Sequence, residues 1–223
     1  MNILTTEMFD LTKSIAAPLL KNCNYSWEAL PKIKDFILKI GPQLSANDYE
    51  NIGNDIWIGK NVNIHESAVI RGPAIIGADT EIRPSAFIRG SAIIGCGCVI
   101  GNSCEIKNSI IFDKVQIPHF NYIGDSILGF SSHTGAGAIT SNVKSDRTLV
   151  TVTNGTEKIA TGLKKFGAII GDYVEIGCNC VLNPGTIIGR NTNVYPLSSV
   201  RGTIPPNSIY KSQNNIVEKI EIH

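Results

Sequence analysis

Excess charge of either sign is what this sequence lacks. Twenty Lys and Arg stand against nineteen Asp and Glu, leaving a formal net charge of +1. No long basic cluster breaks that balance, which argues against a nucleic-acid partner. No apolar run reaches membrane-spanning length. The opening MNILTTEMFDLTKSIAAPLL carries Glu7 and Asp10 and lacks the basic-then-apolar order of an export signal. A cytoplasmic protein with no membrane partner is expected. Four histidines in 223 residues leave little room for a multi-histidine site, so no metal is expected. The six cysteines (Cys23, Cys96, Cys98, Cys104, Cys178, Cys180) mostly replace Ala, Ser or Thr of a repeat and read as free thiols.

What is present is a period. Ile52, Ile58, Ile64, Ile70, Ile76, Ile82, Ile88, Ile94, Ile100 and Ile106 recur at every sixth position, a solenoid signal rather than a strand pattern. The fifth place of each unit is small or β-branched (Ala68, Ala74, Thr80, Ala86, Ala92, Cys98, Cys104), and the second is often Gly, as a sharp corner requires. Three units close one coil, and coils stack at about 4.8 Å. The spacing therefore predicts an all-β solenoid, a parallel β-helix of hexapeptide repeats. Its left hand does not follow from spacing. Trp57, Ile75 and Ile93 lie one coil apart on an outer face, and Val69 and Phe87 on another. Such stripes call for cover by the N-terminal segment or a neighbouring subunit.

The register loosens after Ile106. The steps from Ile106 to Ile111 and from Ile123 to Leu128 are one residue short, and the pattern stops at Thr140. Residues 141–167 read as an excursion holding one strand, LVTVT, before a turn at Asn154-Gly155. The period returns from Ile170 to Val200. Residues 1–50 read as a helical cap. It contains one helix with Ser26 as a plausible N-cap, or starting slightly later because of Pro31, and Leu30, Ile33, Ile37 and Ile40 on one face. Gly41-Pro42 ends it, and a shorter helix is expected over Phe9–Leu20. The β-helix spans 51–205, and 206–223 form a capping tail.

The densest polar content, CEIKNSIIFDKVQIPHFNYIGDSILGFSSHTGAGAITSN, lies across the irregular coils. A neutral imidazole at His119 could take a proton from an attacking amine. Arg83 could offer a forked donor pair to a phosphate, and Lys107 a point charge. Their spacing of 24 makes them neighbours one coil apart and one face around. Tyr122 could orient a hydroxyl, and backbone donors near Ala136 could hold a developing oxyanion.

The motifs IRPSA, EIKNS, HFNYIGD, GAGAITSN and TGLKKFGAIIGDYVEIGCNCVLNPGTIIG resemble hexapeptide-repeat acetyltransferases, over roughly residues 70–205. The similarity is to the acetyltransferase domain of the bifunctional N-acetylglucosamine-1-phosphate uridyltransferase family and to archaeal-type sugar-1-phosphate acetyltransferases. The resemblance implies a left-handed β-helix and a homotrimer with active sites between subunits. It also implies acetyl-CoA as co-substrate, with an amino-sugar 1-phosphate, such as glucosamine-1-phosphate, as acceptor. It places the catalytic base on His119, phosphate contacts on Arg83 and Lys107, the sugar contact on Tyr122, and cofactor contacts on Ala136 and Asn142.

Departures from the family pattern are His133 on the substrate side and Cys178 and Pro196 on the cofactor side. Lys144, Arg147, Lys158, Lys164 and Lys165 stand as substitutes for a loop lysine. No uridyltransferase half is expected, because residues 1–50 are too short for a nucleotide-binding domain. Two other readings stay open: a nucleotide-linked amino-sugar acceptor, or a non-catalytic homologue that binds a sugar nucleotide or a partner.

Overall fold

The computed structural model describes residues 1–220, so the last three positions of the tail lie outside the described residues. From Ile56 the chain winds into a left-handed parallel β-helix with three faces. The first face holds nine strands, opened by the antiparallel Tyr49–Asn51 and closed by Thr203–Ile204. The second also holds nine, from Asn63–Ile64 to Asn215–Glu218, and the third seven, from Val69–Ile70 to Ser199–Val200. On the first face Ile58, Ile76, Ile94, Ile111, Leu128, Ile170, Ile188 and Ile204 stand in one register. The six-residue aliphatic repeat is therefore the interior column of the prism.

The corners explain the rest of the repeat. Most carry a residue in the left-handed region, such as Asn61 (φ +56°), Asp79 (φ +58°) and Ser103 (φ +54°), where short polar side chains are tolerated best. The small fifth place is more than a filler. The thiols of Cys98, Cys104 and Cys180 donate to the carbonyls of Phe112, Ile117 and Tyr195 at 3.0, 3.3 and 3.1 Å, and Thr80 Oγ1 donates to Gly95 at 2.8 Å. All six cysteines are free.

Outward-facing Trp57, Ile75, Ile93, Ile110, Ile127, Ile169 and Ile187 of the first face are all buried. The N-terminal segment and the excursion cover them. Each side chain so hidden contributes about 1.5–3 kcal/mol. The Phe9 ring stacks on Phe112 at 4.9 Å and the Trp27 ring lies 5.8 Å from Phe166. Met1 exchanges two hydrogen bonds with Asn154.

Two helix expectations are corrected. The longer element is a 3₁₀ helix, Ser26–Lys32, followed by an α-helix, Ile33–Ile40. The residue preceding that α-helix is Lys32, without a side-chain cap, and the Ser26 hydroxyl bonds Thr5 instead. Pro31 removes a donor that an α-helix begun at Ser26 would use. The α-helix ends at Ile40, before Gly41-Pro42 as expected, and Gly41 at φ −51° opens a 3₁₀ turn. It is glycine because a Cβ there would sit 2.5 Å from the Trp57 ring. The expected helix over Phe9–Leu20 is instead two short turns, Leu11–Lys13 and Ala17–Leu20, separated by the extended Ser14. Asp10 accepts from the Thr12 N–H and hydroxyl, which favours a local turn over a continuous helix.

The excursion is an antiparallel hairpin, Thr151–Asn154 with Glu157–Ala160, turning at Gly155 (φ +63°). Only its first strand is apparent in the sequence. Residues 208–218 continue the second face and fold back on themselves. No helix of the described residues is long and apolar enough to cross a membrane.

Candidate active site

The third face is bounded by two edges, and the residues singled out in the sequence divide between them. At the edge shared with the second face, His119, Ala136, Cys178 and Pro196 form one column. Gly137 N–H donates to His119 O at 3.0 Å, Asn179 N–H to Ala136 O at 2.8 Å, and Leu197 N–H to Cys178 O at 2.9 Å. His119 thus lies directly beside Ala136 in adjacent coils. Its side chain is exposed while its backbone is held from inside. The buried Asn121 donates to His119 O at 3.0 Å and accepts from Ala138 N–H at 2.8 Å. The Ala136 and Cys178 N–H groups donate to no protein acceptor among the described residues, so they can serve an oxygen from outside the chain.

Arg83 stands at the same edge, two coils below Pro118, through the register Ile82, Ile100, Ile117. Its guanidinium pairs with Glu81 at 3.1 Å. His133 lies on the second face, where its Nδ1 is 2.8 Å from Glu175. It is on the Ala136 coil but outside the cluster at the other edge.

That second cluster occupies the edge between the third and first faces. Lys107 Nζ donates to both oxygens of Asp125, at 3.0 and 2.9 Å. Asn108 Nδ2 donates to Asp125 at 2.8 Å, and Asn142 Nδ2 donates to Asp125 and to the Tyr122 hydroxyl. The Asp125 side chain is only 5% exposed. Burial first, then the Asp125 charge, push the Tyr122 phenol up from its ordinary value. The Tyr122 ring lies over Gly124, where a Cβ would collide with it. Lys107, Tyr122 and Asn142 are therefore brought together, and Arg83 and His119 are not among them.

The shortened steps fall here. Ile106 to Ile111 and Ile123 to Leu128 both cross this edge, and the excursion leaves and re-enters the coil at it. They border Tyr122, whereas His119 and the GAGA corner lie at the opposite edge. Omitting one residue sets Asn108 and Asp125 in the left-handed region (φ +47° and +48°).

Asp125 and Arg89 were missed in the sequence. Arg89 lies exactly one coil before Lys107, eighteen positions away, and pairs with Glu105 at 2.6 Å. That spacing is the signal that finds it. A cleft of about 570 Å³ continues this edge upward between hairpin and coil. Lys144, Lys158, Asn183 and Arg201 contribute to its lining, whereas Arg147, Lys164 and Lys165 do not. Among the described residues no group of three His, Cys, Asp or Glu side chains could hold a metal.

Residues 70–177 match the model of the GMPPB C-terminal domain, and 167–202 the bacterial transferase hexapeptide repeat. The chain is 44% identical over 202 residues to the bifunctional protein GlmU of Methanococcus maripaludis (strain C7), covering 87% of this chain and 48% of that protein. It is 35% identical over 173 residues to the uncharacterized acetyltransferase YaiX of Escherichia coli (strain K12), covering 78% and 74%. A bifunctional sugar-1-phosphate nucleotidylyltransferase/acetyltransferase of Sulfurisphaera tokodaii is 33% identical over 106 residues, covering 48% and 26%. The chain spans about a quarter to a half of the length of most such relatives.

Proposed function

Because the chain belongs to the hexapeptide-repeat acetyltransferases, with relatives named for acetyl transfer in sugar-1-phosphate enzymes, we propose that it N-acetylates an amino-sugar 1-phosphate, glucosamine-1-phosphate first among them, from acetyl-CoA. The observation that carries the reading is the direct pairing of His119 with Ala136 across adjacent coils. It sets a proton acceptor beside a backbone N–H with no acceptor of its own.

In this mechanism the unprotonated amine attacks the thioester carbonyl. The new C–N bond forms as His119 accepts the amine proton. The tetrahedral oxyanion takes its hydrogen bond from the Ala136 N–H, with that of Cys178 one coil along. Collapse of the intermediate expels the CoA thiolate, and the amide remains on the sugar. Arg83 and Lys107 meet the acceptor phosphate, Tyr122 a sugar hydroxyl, and His133 the acceptor side. Asn142, Cys178 and Pro196 border the donor.

A homotrimer fits the division of the site. Within one chain the His119 column and the Lys107 cluster stand at opposite edges of the third face. That face exposes Val69 in its low coils and Ile139 and Val181 in its high ones, at 50%, 40% and 37%, apolar positions suited to a neighbouring copy on either side of Glu105. A neighbour's edge would complete each half-site.

Thiol release from acetyl-CoA tests the proposal, with glucosamine-1-phosphate, galactosamine-1-phosphate, plain glucosamine and nucleotide-linked amino sugars as acceptors. Wild-type turnover by His119→Ala would overturn the assignment of the base. Failure of acetyl-CoA to bind a well-folded trimer would favour the non-catalytic homologue.

A further inference from the structure

Arg83, Arg89 and Lys107 each face a carboxylate, but the three partners are not equivalent. Glu81 and Glu105 are 41% and 31% exposed, whereas Asp125 is 5% exposed. The two glutamates can turn into water when an anion arrives. Asp125 cannot, because its oxygens are also held by Asn108 and Asn142, and its own carbonyl accepts the Gly167 N–H at 2.8 Å. Lys107 has three N–H donors and spends two of them on Asp125. One is left.

We infer that Asp125 is a positioning residue for the acceptor: it fixes the Lys107 ammonium with a single free N–H and ties it to both ends of the 141–167 excursion. Asn142 is the second residue of that excursion and Gly167 its last, and both bond Asp125. The lysine's rotamer freedom is thereby spent on folding and not on binding. This inference rests on the reading of Lys107 as a phosphate contact, and deepens it.

Asp125→Asn keeps the shape but presents an NH₂ group where Lys107 or Asn142 needs an acceptor. The expected result is an acceptor KM raised about tenfold, a smaller rise in the acetyl-CoA KM through Asn142, and kcat little changed. In a Lys107→Met background the same substitution should add nothing to the acceptor KM, since the two act as one unit. An equal effect in both backgrounds, or an equal rise in the acetyl-CoA KM, would overturn the inference.

A second readout needs no substrate. Under limiting reductive methylation read by peptide mass spectrometry, Lys107 should react at least about tenfold more slowly than the exposed Lys158, and Asp125→Asn should close that gap. Equal rates in the wild-type protein overturn the inference even if the variant does not fold. If no amino-sugar phosphate is acetylated, the proposed function fails, and the methylation comparison still decides whether Asp125 holds Lys107.

Discussion

The backbone N–H of Asp10 donates to Asp172 Oδ2 at 2.7 Å across 162 positions of sequence. The same carboxylate accepts the Phe130 N–H at 2.8 Å and pairs with Arg190 at 3.0 Å. Asp172→Ala should cost roughly 2–3 kcal/mol, because it leaves two part-buried backbone donors and Arg190 without their partner. Asp172→Asn should recover part of that. Urea unfolding with an unchanged m-value checks both.

Alkali should loosen the coil through its interior thiols. Burial pushes the Cys98 thiol up from 9.0 to about 12, and the Cys104 and Cys180 thiols up as well. The native state then keeps protons that the unfolded chain loses above about pH 9. The stability is fully present below that pH and falls as pH rises toward 12. For one such thiol the slope approaches about 1.4 kcal/mol per pH unit. Cys98→Ala should flatten the denaturation-versus-pH curve above pH 9, and an unchanged slope would refute the attribution.

His119 and Asn121 should separate chemistry from support. His119→Ala is expected to lower kcat by about 10²–10⁴-fold with little change in melting temperature, since its side chain is exposed. Asn121→Ala should lower both, because the buried amide bridges two coils. Thermal unfolding beside thiol-release kinetics distinguishes the pair.

Gly124→Ala should act on Tyr122 rather than on the backbone. The new methyl group meets the Tyr122 hydroxyl and displaces the ring, breaking its contact with Asn142 at 3.2 Å. A raised acceptor KM is expected, with a smaller rise in the acetyl-CoA KM through Asn142. The companion variant Tyr122→Phe should show a smaller change of the same sign.

The coil was legible because its cause is local: Ile76 and Ile94 repeat six-residue units whose corners need only short polar residues or glycine. His119 and Ala136 came instead from the HFNYIGD and GAGA motifs, since they stand 17 positions apart across the shortened step from Ile123 to Leu128. Asp125 was legible in neither way. Its place depends on a corner shortened by one residue, on a left-handed φ, and on an excursion that returns to the coil only at Gly167. The Ser26 reading failed for a related reason. An apolar stripe at helical spacing shows which side faces inward, but not whether Pro31 leaves the first turns α or 3₁₀.

The path of the first forty-four residues has a consequence for how the chain reaches its native state. A solenoid whose coils touch only their neighbours can fray from either end, one coil at a time. Here Met1 is bonded to Asn154, Asp10 to Asp172, and Gly41 lies against Trp57, so one strap spans low and high coils together. Unfolding any of them loosens a cover shared by the rest. During synthesis the strap emerges ahead of the coils and must wait for residue 172 before its last partner exists. The stack should therefore melt as a single cooperative transition, and its later coils should complete the strap that precedes them.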